Sequence, residues 1–341
     1  MSLRSESAAT TTTRSASNST IDTRPASNST IGTRFASSAA WRIGLAAVAS
    51  FAVAALGFIT WGPLLAINLS TSPGIPWSVP VEAILLLLIW RKLAGRGWPR
   101  RAAAARAALL RPRAVPPRVF TWALIAGALS LVALAGLWIV LVQLTGAGGN
   151  PTLPSSAAYP AITIAAAIIM GSLVSPITEE SAFRGYGQVL LERRFAPATA
   201  VLLSSLFFAL YHGPTQGFAP TKLLFYFTVG VVFGAIACLT RSVLPALPIH
   251  IAGDLLFFTA IWPHDAARVL VWHGGADLAF WLRVGQVVVF TVLAAFAFRR
   301  LHQACSRSLD SGGAVDLSLP SGAAGIAGGT ASEVVLLPMG G

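Results

Sequence analysis

The sequence predicts an all-α fold, a polytopic membrane protein of about eight transmembrane helices. Three observations predict it. Of the 341 residues, 55% are hydrophobic and only 11% are charged, against roughly 25% charged in a soluble domain. The apolar residues gather into eight segments, most of them near the ~20 residues a helix needs to cross a bilayer. The basic residues gather at alternate ends of those segments, as the positive-inside bias requires.

Residues 1–40 precede the first segment. They are rich in Ser, Thr and Ala and repeat with a ten-residue period, "TRSASNSTID" then "TRPASNSTIG". With almost nothing to bury, this stretch reads as a disordered low-complexity arm, too long and polar for an ordinary signal peptide. The apolar segments follow at about 43–67, 79–93, 119–144, 159–191, 197–212, 222–240, 246–262 and 278–298. The second and fifth are short, and Glu82 sits early in the second. The fourth is too long for one straight span, and Pro176 is expected to kink or break it. Residues 41–158 thus form an N-terminal set of transmembrane helices with a basic loop, 159–300 a second membrane domain, and 301–341 a loose tail. Cys238 and Cys305 have no evident partner, so no disulfide framework is implied.

The formal net charge of +12 does not point to nucleic acid, because its distribution follows the membrane. Nine Lys and Arg and no acid fall between Arg91 and Arg118, between two apolar segments. With eight spans and both termini cytoplasmic, twenty of the twenty-four basic residues lie on the cytoplasmic side. Lys222, Arg268 and Arg283 fall towards the opposite side, and Arg184 falls within the membrane. The expected location is the cell membrane, and the expected partner on these grounds is the lipid bilayer, with no nucleic acid.

Ionisable residues at membrane depth are costly and mark function. From Arg193 and Arg194 at the cytoplasmic end of the fourth segment, Glu180 lies ~20 Å up a helix. From Pro197, His212 lies ~22 Å up the next one. His250 and Asp254, spaced i, i+4 on one face, belong to the seventh segment. Counted from Pro245, however, His250 is only ~8 Å deep, so tilt or an earlier helix start is required. Glu180 and Arg184 are also i, i+4, the spacing of an ion pair that neutralises both charges in low dielectric. Adjacent helical residues diverge by ~100°, which leaves Glu179 as the free carboxylate and the candidate base. Phe207 and Phe208 read as packing, and His264, His273 and His302 as surface residues.

Three motifs carry a family resemblance. "EESAFR" (Glu179 to Arg184) fits E-E-x-x-x-R, "FALYH" (Phe208 to His212) fits F-x-x-x-H, and "HIAGD" (His250 to Asp254) fits H-x-x-x-N/D. In order and spacing they resemble the CPBP family of CAAX prenyl endopeptidases and bacteriocin-processing proteins, over about residues 160–262. The resemblance implies a CPBP-like catalytic membrane domain, an intramembrane endopeptidase with its site open to the cytoplasm and a protein or peptide substrate as partner. It implies that Glu179 activates water, His212 assists, and His250 with Asp254 completes the site. Zinc held by His212, His250 and Asp254 is the alternative to a favoured metal-free glutamate mechanism. Many members have Asn where this chain has Asp254, and an ionised Asp cannot donate a hydrogen bond. The competing classes are a non-catalytic immunity or adaptor protein of the same fold and a small transporter. A transporter would show repeats between its halves, and none is visible outside the arm.

Overall fold

The computed structural model describes residues 28–148 and 158–312. Contacts divide the chain into two units, Met1–Trp41 and Arg42–Gly341. The first helix begins in the first unit, and every later element lies in the second. Among the described residues there are helices and no strands.

All eight apolar segments are helical. The first three are α1 (Asn28–Thr71), α2 (Ser78–Leu93) and α4 (Pro117–Thr145). The fourth comprises α5 (Ala161–Glu179), a π-helical stretch Glu180–Gly187 and α6 (Gln188–Glu192). The rest are α7 (Pro197–Gln216), α8 (Pro220–Thr240), α9 (Ala246–Leu256) and α10 (Leu278–Gly312). The basic loop adds a short helix, α3 (Ala103–Leu110). Proline begins α4, α7 and α8, at a position where its missing N–H would have had no helical partner. Gly146 ends α4 in the left-handed conformation at φ 72°, its N–H returning to the Val142 carbonyl, the turn that favours glycine.

Six stretches are long and apolar enough to cross a membrane: Ser38–Thr71, Pro117–Thr145, Ala161–Glu192, Pro220–Thr240, Ala246–Ala267 and Leu278–Ser308. Two of the eight expected spans, α2 and α7, do not qualify. With 16 residues, α2 is ~24 Å long, short of a ~30 Å hydrocarbon core. Ser204, Ser205, His212 and Thr215 dilute the apolar character of α7. On the six, much of the apolar surface faces outward, as on α10 with Val288, Val289, Val292 and Phe296 exposed. That is the pattern of helices solvated by lipid.

The expected boundaries need three corrections. Helix α1 reaches back to Asn28, into the stretch read as arm, and α10 runs on to Gly312, into the stretch read as tail. Once an apolar span has formed a helix, extension adds a hydrogen bond per residue without a new nucleation cost. The parts of those two readings covering residues 1–27 and 313–341 lie outside the described residues. Third, Pro176 sits inside α5 without ending it, and the winding changes at Glu180–Gly187 instead. Such wide turns are frequent at functional sites.

Polar side chains tie the helices where the backbone turns. Buried Asn68 donates to the carbonyls of Ser72 and Ile75, and accepts from the Ser78 N–H and hydroxyl. One side chain thus satisfies the turn between α1 and α2. One helical turn further on, Glu82 is fully buried and accepts a 2.9 Å hydrogen bond from Thr60 of α1. At the far end of α4, the Trp138 indole donates to Asp265, which also pairs with Arg268.

The basic loop is more than a linker. Arg106 donates to the carbonyls of Lys92, Gly97 and Pro99 and so closes the loop on itself. Leu110 of α3 lies against Gly185, where an added Cβ would stand 3.3 Å from the Leu110 Cα. Arg111 pairs with Glu192 at 2.6 Å. The backbone of Arg111 and Arg113 then accepts from the Val243 N–H and the Ser242 hydroxyl. The turn between α8 and α9 is therefore covered by the loop, and Ser242, Val243 and Ala246 are buried. Helix α9 starts at Ala246 beneath that cover, no earlier than expected, and His250 still reaches Glu180 at 2.9 Å.

Candidate active site

The π-helical stretch brings two carboxylates to one place from opposite sides. Glu179, the last residue of α5, accepts from the Ser175 hydroxyl one turn earlier at 2.9 Å. Glu180 is fully buried and accepts from His250 Nδ1 at 2.9 Å, while Arg184 Nη1 stands 3.4 Å from the same oxygen. That separation is an ion pair, but its geometry is not that of a hydrogen bond, and Nη1 has no hydrogen-bond partner. Arg184 also donates through Nη2 to the Gly230 carbonyl at 3.4 Å and lies 4.2 Å over the Phe208 ring. Its charge is thus held by a carboxylate, a carbonyl dipole and an aromatic face, with both Arg184 and Glu180 buried from solvent.

The imidazoles are oriented by their other nitrogens. His212 Nδ1 is 2.9 Å from the Phe208 carbonyl. A carbonyl only accepts, so Nδ1 carries the proton and Nε2 of the neutral ring is the bare nitrogen. By the same logic, Glu180 fixes a proton on His250 Nδ1 and leaves its Nε2 to the site. The two Nε2 atoms approach one carboxylate: His212 at 3.9 Å from Glu179 Oε1 and His250 at 3.8 Å from Glu179 Oε2. His250 Nε2 is also 3.7 Å from Asp254 Oδ1. Phe233 stacks on His250 with ring centres 4.5 Å apart, and Tyr226 stacks on His212 at 3.9 Å.

Glu179, His212, His250 and Asp254 therefore converge, and Glu180 and Arg184 adjoin them through His250 and Phe208. Phe207 and Phe208 are buried in the surrounding core. His264, His273 and His302 are exposed and take no part. Reasoning from sequence missed Ser175, Tyr226 and Phe233. Ser175 was findable, being i−4 from Glu179 on the same helix. Tyr226 and Phe233 carried no local signal, because their partners belong to other helices.

The donor set does not fit a metal as it stands. Among the described residues no group of three or more His, Cys, Asp or Glu side chains is placed to hold a metal ion. The facing atoms are 3.7–3.9 Å apart, wider than the roughly 3.3 Å between tetrahedral ligands at ~2.0–2.1 Å from zinc.

Fold and geometry define a class: an all-helical polytopic membrane protein with a buried cluster of carboxylates and histidines. The comparison with protein families narrows it. Residues 161–256 match the family described as Type II CAAX prenyl endopeptidase Rce1-like. The matched stretch contains Glu179, Glu180, Arg184, His212, His250 and Asp254, and the match is to a family of endopeptidases, consistent with a CPBP family intramembrane protease. No curated protein and no solved structure matches the chain.

Proposed function

We propose that this protein is an intramembrane endopeptidase that hydrolyses peptide bonds of membrane-associated or peptide substrates with a water activated by Glu179. The match to an Rce1-like domain supports the class. The observation that carries the mechanism is the separation of Glu179 from the His212 and His250 Nε2 atoms, 3.9 and 3.8 Å. These distances are too long for direct hydrogen bonds and short enough for one water oxygen to bond both groups of a pair.

Glu179 takes a proton from the water as its oxygen attacks the scissile carbonyl. His212 Nε2 accepts the second water hydrogen and aims the lone pair. The proton on Glu179 then passes to the leaving amine, so one carboxyl serves as base and acid. Ser175 donates to Glu179 Oε1, the oxygen that faces His212; the second lone pair of that oxygen remains for the water, while Oε2 faces His250. Glu180, neutralised by Arg184, is a positioning residue that fixes the His250 tautomer. His250 and Asp254 form the opposite wall, where substrate N–H groups meet the Asp254 carboxylate.

The basic loop Arg91–Arg118 and both termini lie in the cytoplasm on this reading, and substrate enters from that side. The experiment is a comparison of cells carrying the wild-type chain with cells carrying Glu179→Gln. Membrane-associated peptides should accumulate in the variant with their uncut termini. Identical peptide populations in the two would count against the proteolytic reading.

A further inference from the structure

We propose that Tyr226 is a catalytic residue, its phenolic O–H donating a hydrogen bond to the oxyanion that develops on the scissile carbonyl. The inference rests on the hydrolytic reading of the site and adds to it the donor that reading lacks.

Tyr226 lies in the middle of α8, 5% exposed, with its ring stacked on the His212 imidazole at 3.9 Å and 16°. Phe208, Phe225 and Trp138 enclose the ring edge-on. The ring is held; the hydroxyl is not. It is buried and has no hydrogen-bond partner, a condition that buried hydroxyls rarely tolerate. It belongs to the ring that lies on His212, whose Nε2 stands 3.9 Å from Glu179.

Glu179 Oε2 and Asp254 Oδ2 are likewise buried without a hydrogen-bond partner. Two acceptors beside His250 and one donor beside His212 are thus left open. A hydrated peptide bond supplies their complement: water and amide protons for the carboxylates, and a carbonyl oxygen for the hydroxyl. The neighbouring donors are engaged, apart from Arg184 Nη1, which is held 3.4 Å from Glu180 as an ion pair. Ser175 donates to Glu179, His212 Nδ1 to the Phe208 carbonyl, His250 Nδ1 to Glu180, and Arg184 to Gly230 while paired with Glu180. An ionised Asp254 has no proton to give. The Tyr226 O–H is an uncommitted neutral donor on the ring that lies against His212.

The step balances without a co-reactant. The water oxygen bonds to the carbonyl carbon as its proton moves to Glu179. The carbonyl π pair moves to oxygen, where the Tyr226 O–H meets it. The C=O bond then re-forms, the C–N bond breaks, and the proton leaves Glu179 for the departing amine. Tyr226 keeps its own proton throughout. A fixed neutral donor at this position strengthens its bond as charge develops, which lowers the barrier rather than tightening substrate binding.

The test compares purified wild-type protein, Glu179→Gln and Tyr226→Phe on one peptide substrate, with the thermal unfolding midpoint of each. Phenylalanine keeps the stacked ring and removes only an unpartnered hydroxyl, so the fold should be as stable as the wild type or slightly more so. The expected result is a kcat about 10²-fold lower, KM within about twofold, and an undiminished midpoint. Wild-type kcat in Tyr226→Phe, or a loss confined to KM, overturns the inference while leaving the hydrolytic reading in place. A kcat loss that tracks a lowered midpoint also overturns it, because the hydroxyl is then structural. If the wild type cleaves no better than Glu179→Gln, the hydrolytic reading fails and this inference fails with it.

Discussion

Replacing Gly230 by alanine should damage this protein more than the same change four residues later at Gly234. The sequence "GVVFG" from Gly230 to Gly234 is a small-x-x-x-small pattern, which lets membrane helices approach closely. A Cβ on Gly230 would stand 2.8 Å from Ser205 Cα on α7, whereas ordinary contact begins near 3.4 Å. The obstacle is backbone, so α7 must retreat by at least about 0.6 Å. A Cβ on Gly234 meets Val201 Cγ1 at 3.0 Å and Gln188 Oε1 at 3.1 Å, side-chain atoms rather than backbone, which need give by only a few tenths of an ångström. Overpacking at Gly230 should cost about 1–3 kcal/mol, reduced by up to ~1 kcal/mol for the better helix propensity of alanine. The catalytic effect should be larger. His212 lies on α7 two turns beyond Ser205, and a displacement near 1 Å at a reacting group costs up to ~10²-fold. Thermal unfolding in detergent together with peptide cleavage measures both. Equal effects at the two glycines, or a greater loss at Gly234, would refute the close-packed account of α7 and α8.

Two further outcomes are expected. Arg184→Met and Glu180→Gln should each lower folded yield, because a buried partner is left uncompensated at about 3–5 kcal/mol. The double variant should lose less than the sum, as measured by detergent unfolding; strict additivity would mean that the two do not interact. Reporter fusions at Ala104 and Ala147 should report opposite sides of the membrane, with Ala104 cytoplasmic. Finding both on one side would remove the proposed orientation.

Helix positions were legible because lipid leaves a strong composition signal, and each of the eight apolar segments is a helix. By length and composition alone, six stretches suffice to cross a membrane, and α2 and α7 are shorter or more polar than those six. Helix α7 carries His212 and several hydroxyls on a frame too polar to qualify as a span. Nor could periodicity anticipate the winding at Glu180–Gly187, since proline at 176 is the louder breaker and the wide turn has no residue signature. The positions of Glu179, Glu180, His212, His250 and Asp254 were readable from spacing along single helices. Their joint geometry was not. It depends on the Arg111–Arg113 backbone capping the turn before α9, and on Gly185 admitting Leu110, and both link segments that look unrelated in sequence. Tyr226 illustrates the same limit: a lone tyrosine in an apolar helix becomes informative only when its ring is found on His212.

The central claim is that Glu179 activates the water that cuts the peptide bond. Purified wild-type and Glu179→Gln proteins should therefore be compared on a peptide that accumulates in cells carrying the variant. The account predicts cleavage by the wild type in the presence of a strong chelator, and at least 10²-fold less by Glu179→Gln at an unchanged unfolding midpoint. Cleavage by Glu179→Gln at the wild-type rate would contradict it.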